Sequence, residues 1–169
     1  MSIVASFYLI EKSKLSLLKA NSHVEVKKGL FTRKIIDNYY SFLKANSVEL
    51  PSLDYNGYNG SVFLNVLDYL QDKHEVKLID KAFDEFSNEI GKNRSLDVYV
   101  LSYDFKEAMQ DKLNPEFFAE NDIQKFNNEI GDDDDLDTVI AFKKAIEVLY
   151  KNIAAIPNES YVLIFELGQ

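Results

Sequence analysis

The sequence predicts an α+β fold: a mostly helical single domain over residues 1–169, with a small sheet that pairs the N- and C-terminal strands. Residues 3–10 and 161–167 are almost continuously apolar and rich in β-branched and aromatic side chains. This composition is typical of strands that are covered on both faces. Between them, apolar residues recur at three- and four-residue spacing, which predicts helices. We therefore expect the two strands to be neighbours in one sheet.

The strongest helix pattern lies in the last third of the chain. Asp134 or Asp135 is expected to cap its first free amide groups, and Asp137 adds negative charge at the positive end of the helix dipole. Pro157 follows the pattern and favours an extended chain into the final strand. The apolar face of this helix consists of Val139, Phe142, Ile146, Leu149, Tyr150 and Ile153.

The first half of the chain predicts two helices, a loop and an irregular stretch. Residues 12–20 predict a short helix with Leu15 and Leu18 inward, and residues 23–29 predict a polar loop. Residues 50–60 are rich in turn formers and predict the least regular segment. A longer helix is expected over residues 32–45, with one face formed by Ile35, Ile36, Tyr39, Tyr40 and Leu43.

The second half predicts mainly helices. One helix is expected to start near Ser61, and another near Glu75 that ends at Gly91. Residues 96–103 fit either a strand, from their Val and Tyr content, or a helix, from the spacing of their apolar positions. Further helices are expected over residues 104–113 and 115–127.

Composition limits the classes of function. The chain has no cysteine, which excludes disulfides, thiol nucleophiles and zinc–thiolate sites and fits a reducing compartment. Residues 3–10 lack the basic region and cleavage site of a signal peptide, and no apolar run approaches the roughly 20 residues of a membrane span. The net charge of -9 argues against binding to nucleic acid or anionic membranes. We therefore expect a cytoplasmic protein with no cofactor, whose partner is a basic protein.

The order of these signals resembles the YfbM-like family of uncharacterised bacterial proteins. The opening strand over residues 3–10, followed by a Leu-rich short helix, is similar to the start of that family, whereas residues 29–60 depart from it. The family has no established activity, so the resemblance implies an α+β fold and carries over no catalytic residue. Its C-terminal half is matched by Tyr103-Asp104, Ala108-Met109, an acidic stretch, the helix over 142–150 and Val162-Leu163-Ile164.

The acidic run over residues 132–137 is the sharpest local motif. An EF-hand loop that begins at Asp132 would need glycine at its sixth position and glutamate at its twelfth, but these positions hold Asp137 and Lys143. Helix capping and a solvated turn explain the run better than calcium binding does. We therefore expect no tight calcium site and no other metal site.

Two further sets of polar residues are candidates for catalysis. His23 and His74 have no ligand-like partner at helical spacing and no predicted nucleophile beside them, so both are expected at the surface. Four acids have helical spacing that places them on the polar side of one predicted helix, where water solvates them: Asp80, Asp84, Glu85 and Glu89. No residue is predicted to be catalytic.

The turn over residues 54–60 holds the candidate binding residues Asp54, Tyr55 and Tyr58. Tyrosines on an exposed turn can anchor a partner because they offer a large contact area at little entropic cost. The alternative, which the size of the rings favours, is that both fold back onto the edge of the core. The glycines here match no phosphate-binding loop.

Two functions fit these observations. The preferred one is a non-enzymatic protein-interaction domain, of which an acidic inhibitor or immunity-type protein that binds a basic partner is one concrete form. The alternative is a small hydrolase or ligand-binding domain whose site is assembled from distant Asp, Glu and Tyr residues. A cleft lined by convergent carboxylates would favour the alternative, and an acidic face with exposed tyrosines would favour the preferred function.

Overall fold

A computed structural model describes residues 3–28, 33–131 and 135–168 of the chain. The described residues form a four-stranded antiparallel sheet, a separate two-stranded ribbon and seven α-helices. The predicted fold class is confirmed, because the chain is mostly helical and its first and last strands are paired. Among the described residues, no helix is both long enough and apolar enough to cross a bilayer.

The main sheet has the strand order β4-β1-β6-β5, and every neighbouring pair is antiparallel. β6 is covered on both faces, as its sequence predicts, and Phe7 of β1 lies opposite Phe165 of β6. The strands of the main sheet are β1 (Val4–Glu11), β4 (Ser47–Leu50), β5 (Asp97–Ser102) and β6 (Tyr161–Gly168). The ribbon consists of β2 (Glu25–Lys28) and β3 (Arg33–Ile36).

Helices cover both faces of the main sheet. The face that contains Phe7 and Phe165 packs in a larger core against α3, α5, α6 and α7, and the other face packs in a smaller core against α1, α2 and α4. The helices are α1 (Leu15–Asn21), α2 (Tyr39–Asn46), α3 (Ser61–His74), α4 (Asp84–Arg94), α5 (Tyr103–Met109), α6 (Glu120–Ile130) and α7 (Leu136–Ala154).

The helix predicted over residues 32–45 and the loop predicted over residues 23–29 are both wrong in part. The chain forms the β2–β3 ribbon instead, and α2 begins only at Tyr39. Ile35, predicted to point inward, is 61% exposed. Residues 24–27 alternate apolar and polar, which is the period of a strand, and this alternation was too short to outweigh the helical spacing farther on.

The helix predicted to start near Glu75 begins instead at Asp84. Residues 75–83 take an irregular path that buries Val76 and Leu78 and leaves Ile79 50% exposed. Gly91 lies inside α4 and does not end it. The position requires glycine because a Cβ there would lie 2.7 Å from the carbonyl oxygen of Leu96. The helix ends at Arg94, and Ser95 takes a left-handed backbone with φ of +56°.

The segment with two possible structures, residues 96–103, is mostly the strand β5. The helices predicted over residues 104–113 and 115–127 are shorter than expected, since 3-10 turns separate α5 from α6. The break before α6 includes Phe118, whose backbone is extended and whose ring is buried in the larger core. β4 lies at an edge of the sheet and was not predicted, because four residues are too few to show a period.

Candidate functional site

A large cleft runs along the outer edge of β5. It has a volume of about 690 Å³ and lies between β5, α4 and the irregular segment before α4. This volume is within the range of ligand-binding clefts, roughly 300–1,000 Å³. Its polar lining includes Asp80, Asp84, Ser87, Asn88, Lys92 and Asp97.

Side chains close most of the β5 edge that faces this cleft. The amide groups of Val100 and Ser102 point away from β6 and would otherwise be free to pair with another strand. The Val100 amide donates to Ser87 Oγ at 3.1 Å, and the Ser102 amide donates to Asp80 Oδ2 at 2.9 Å. The alternation of a strand turns the backbone groups of Val98 the same way, so this residue offers the cleft a donor and an acceptor.

The acidic residues of the cleft come from three separate positions in the chain. Asp80 is half-buried and also accepts hydrogen bonds from Ser102 Oγ at 2.5 Å and from the Ala82 amide at 3.0 Å, so it mainly holds the β5 edge. Asp84 and Asp97 are exposed and leave their carboxylates facing water. They give this part of the cleft negative charge beside the single positive charge of Lys92.

The cleft also has an apolar part next to these carboxylates. Ile79 is half exposed, and Leu78, Leu96 and Val98 line the wall behind it. Gly168 packs against the Leu96 side chain, where any larger residue would collide with it. The cleft can therefore hold a ligand that carries both an aliphatic part and positive charge.

The predicted group of four acids on one solvent-facing helix is wrong for Asp80. This residue precedes α4 and points at the β5 edge, while Asp84 and Glu85 lie in the first turn of α4. Glu89 forms an ion pair with Lys19 of α1. The cleft could not be predicted from the sequence, because the role of Asp80 depends on Ser102, which is distant in the chain.

The tyrosine turn, residues 54–60, folds back onto the edge of the larger core. Tyr55 and Tyr58 are half-buried, and their rings stack with centroids 6.2 Å apart. Tyr55 Oη donates to Asp137 Oδ1 at 2.9 Å, and Tyr58 Oη shares a hydrogen bond of 2.7 Å with Thr138 Oγ1. Asp54 is exposed. Positive φ angles at Asn56 and Gly57, +46° and +81°, form the tight turn typical of an Asn-Gly pair.

The acidic run lies only partly within the described residues, since residues 132–134 fall outside them. Asp135 caps α7, because its Oδ1 accepts the Thr138 amide at 2.7 Å, as one of the two predicted alternatives had it. This hydrogen bond lowers the pKa of Asp135. Within residues 3–28, 33–131 and 135–168, no group of three or more His, Asp or Glu residues could hold a metal ion.

The two histidines differ in environment. His23 is exposed, as predicted. The prediction of a surface position holds in part for His74, which lines two open clefts but is half-buried, with its ring 4.9 Å from that of Tyr69 and 4.8 Å from that of Phe118. Burial lowers the pKa of His74. The sequence could not show this packing, because Phe118 is distant along the chain.

Glu166 is a buried carboxyl group that is not among the predicted site residues. It lies on β6 in the smaller core, is 3% exposed and accepts a hydrogen bond from Tyr39 Oη. Burial raises its pKa to about 7, although the hydrogen bond from Tyr39 and the charge of Arg94 act in the opposite direction. A glutamate within a strand predicted to be covered on both faces is the sequence signal that could have identified it.

Arg94 links Glu166 to the surface. Its guanidinium lies 4.9 Å from the Tyr39 ring centroid and 5.3 Å from that of Tyr40, and it donates two hydrogen bonds of 2.9 Å to Asp37. The paired guanidinium lowers the pKa of Asp37. This cluster joins α2, α4 and β6, and we interpret it as a structural link between them.

Comparisons of the chain with protein-family models, with curated proteins and with solved structures found no match. The resemblance to the YfbM-like family therefore stays a prediction.

Proposed function

We propose that the protein is a non-enzymatic binding domain that holds a basic segment of a partner protein in the β5-edge cleft. The observation that carries this proposal is the exposure of Asp84 and Asp97 on a cleft beside the half-exposed side chain of Ile79. Lysine and arginine have the matching chemistry, because each carries a positive group on an aliphatic stem. A net charge of -9 supports the same kind of partner.

Carboxylates from distant segments converge on this cleft, which favours the alternative in its form as a ligand-binding domain. Its other form, a small hydrolase, is less well supported by the groups in and beside the cleft. A serine nucleophile needs a base that can take its proton. Ser87 Oγ accepts the Val100 amide, and Ser102 Oγ is held by Asp80, whose oxygens also accept two backbone amides. These hydroxyl and carboxylate groups support the edge of the sheet, which favours binding over catalysis.

The cleft also limits how a peptide could bind. Addition of a full strand to β5 would require the amides of Val100 and Ser102, which Ser87 and Asp80 already occupy. Val98 offers a backbone donor and acceptor in this part of the edge. We therefore expect side-chain contacts with Asp84 and Asp97 to dominate, with at most a short stretch of backbone pairing.

A lysine–threonine peptide tests the proposal directly. Its affinity, measured by fluorescence anisotropy, should fall about tenfold in the D84N/D97N variant, the effect of roughly 1.4 kcal/mol from two partly exposed ion pairs. The D54N/E159Q variant removes the same charge from exposed positions outside the cleft and should bind nearly as well as the unaltered protein.

Two results would contradict the proposal. One is equal binding of a glutamate–threonine peptide, which would mean that charge does not select the ligand. The other is a larger loss in D54N/E159Q than in D84N/D97N, which would move the site to Asp54 and the neighbouring Tyr55 and Tyr58. The same experiment therefore tests the hypothesis, made from the sequence, that those three residues bind the partner.

A further inference from the structure

The β2–β3 ribbon lies outside both cores. Every described side chain of the two strands other than Ile36 is exposed, and neither strand joins the main sheet. Val26 and Ile35 lie directly opposite each other on one face and are 40% and 61% exposed. Val24, just before the ribbon, is 44% exposed. A two-stranded sheet is only marginally stable alone in water, so this ribbon would gain stability from a covering surface.

The charges of the ribbon indicate what kind of surface would cover it. Lys27 and Lys34 are cross-strand partners, and like charges directly opposite each other are destabilising. Lys27 lies 3.8 Å from Glu25, and no carboxylate among the described residues pairs with Lys34. A carboxylate-bearing partner would relieve the repulsion between these cations.

We propose that the ribbon of one copy of this chain binds in the β5-edge cleft of a second copy. This inference rests on the proposed function of the cleft and names its partner. Lys27 and Lys34 lie on one face of the ribbon, opposite the face of Val26 and Ile35, and each carries an ammonium group on an aliphatic stem. The cleft combines exposed Ile79 with exposed carboxylates, so it matches the Lys27–Lys34 face. Pairing between the Lys27–Lys34 faces of two ribbons is disfavoured, because it would bring their cations together.

The positions of the ribbon and the cleft allow two such contacts at once. The base of the ribbon is fastened to the end of α4, where Asn93 Nδ2 donates to Ser22 Oγ at 2.8 Å and Arg94 binds Asp37. Asn88 and Gly91 of the same helix line the cleft. Since ribbon and cleft flank one helix, two copies can exchange ribbons around a two-fold axis, which gives a closed dimer.

Charge reversal with mixing tests the exchange. Sedimentation of the unaltered 19.4-kDa chain should show association that grows with concentration up to about 1 mM. The K27E/K34E and D84K/D97K variants should each associate at least about tenfold more weakly with themselves. In a dimer of either variant, both ribbon–cleft contacts would bring like charges together. An equimolar mixture of the two should recover association, because one variant keeps the cleft and the other keeps the ribbon.

Several outcomes would overturn the inference. They are a monomer at every concentration, association that survives either charge reversal, and a mixture that stays monomeric while circular dichroism shows both variants folded. Binding of anionic vesicles or duplex DNA that K27E/K34E loses, without self-association, would assign the ribbon to a polyanion instead.

The lysine–threonine peptide separates this inference from the proposed function. If the peptide binds the cleft but the copies do not associate, only the self-association proposal fails. If copies associate through the ribbon and D84N/D97N has no effect on peptide affinity, the cleft is not a general site for basic segments. Where both proposals hold, the peptide should dissociate the dimer.

Discussion

At the scale of single residues, Glu166 is unusual because its ionisable carboxyl group is buried and not at the surface. The carboxyl group is 3% exposed in the smaller core, with Tyr39 as its donor and Arg94 nearby. Its pKa rises from 4.5 to about 7. The folded protein therefore keeps the proton over a range of pH in which the unfolded chain has lost it.

The consequence is a stability that falls as pH rises. Between pH 4.5 and about 7 the folded state binds more protons than the unfolded state, so the Glu166 contribution to the unfolding free energy decreases over that range. The full difference is roughly 3 kcal/mol. Glutamine cannot titrate, so the free energy of unfolding of E166Q should not show this decrease with pH. We therefore expect E166Q to be more stable than the unaltered protein above pH 7.

Urea denaturation at a series of pH values measures the difference between the two proteins. E107Q, a change at an exposed glutamate of α5, is the matched control and should follow the unaltered protein at every pH. The difference curve also removes other titrating groups, including His74, from the comparison. Parallel curves for E166Q and the unaltered protein would mean that Glu166 has a normal pKa.

At the scale of secondary structure, the cap and the apolar face of α7 were both predicted from the sequence. Asp135 caps the helix by accepting the Thr138 amide, and the apolar face behind the cap is buried in the larger core. Both features depend only on residues close together in the chain. For that reason the order and spacing of the residues in α7 were enough to predict them without knowledge of the rest of the fold.

The cap gives a prediction for stability. D135A removes the acceptor at the first turn of α7 and should lower the free energy of unfolding, and with it the midpoint urea concentration. D135S keeps a capping oxygen and should lose much less. Urea denaturation at pH 7 compares the two variants. Equal losses in both would show that the charge of the aspartate, and not the cap, supports the helix.

The limits of sequence reasoning are also clearest at this scale. Ile35 and Ile36 fit the apolar spacing of the helix that follows, but residues 33–36 pair with residues 25–28 as a strand. The pattern within one segment cannot identify the segment with which it pairs. Asp80 has helical spacing from Asp84, yet its role is set by Ser102. The fold class, β1, β6, α3 and α7 were predictable because burial repeats along the element itself. The β5-edge cleft was not, because distant segments build it.

At the scale of the whole molecule, the net charge of -9 should govern how fast a basic partner arrives. Long-range attraction raises the association rate, and salt weakens it because the screening length is about 8 Å at physiological ionic strength. We expect the association rate of the lysine–threonine peptide to fall as salt rises.

Surface plasmon resonance at two salt concentrations tests this expectation. The dissociation rate should change less than the association rate, since short-range contacts decide how long the peptide stays. D54N/E159Q lowers the total charge as much as D84N/D97N does, so both variants should show a weaker salt effect on association. An association rate indifferent to salt would remove charge as the property that selects the partner.

The central position of β6 also has a consequence for the order of events during synthesis. β6 is the neighbour of both β1 and β5, and it follows both of them along the chain. While the nascent chain is still short of residue 161, β1 can pair with β4, but β5 has no strand beside it. Such distant pairings slow folding, because a long loop must close before they form. The sheet therefore reaches its final register only after residues 161–168 have left the ribosome.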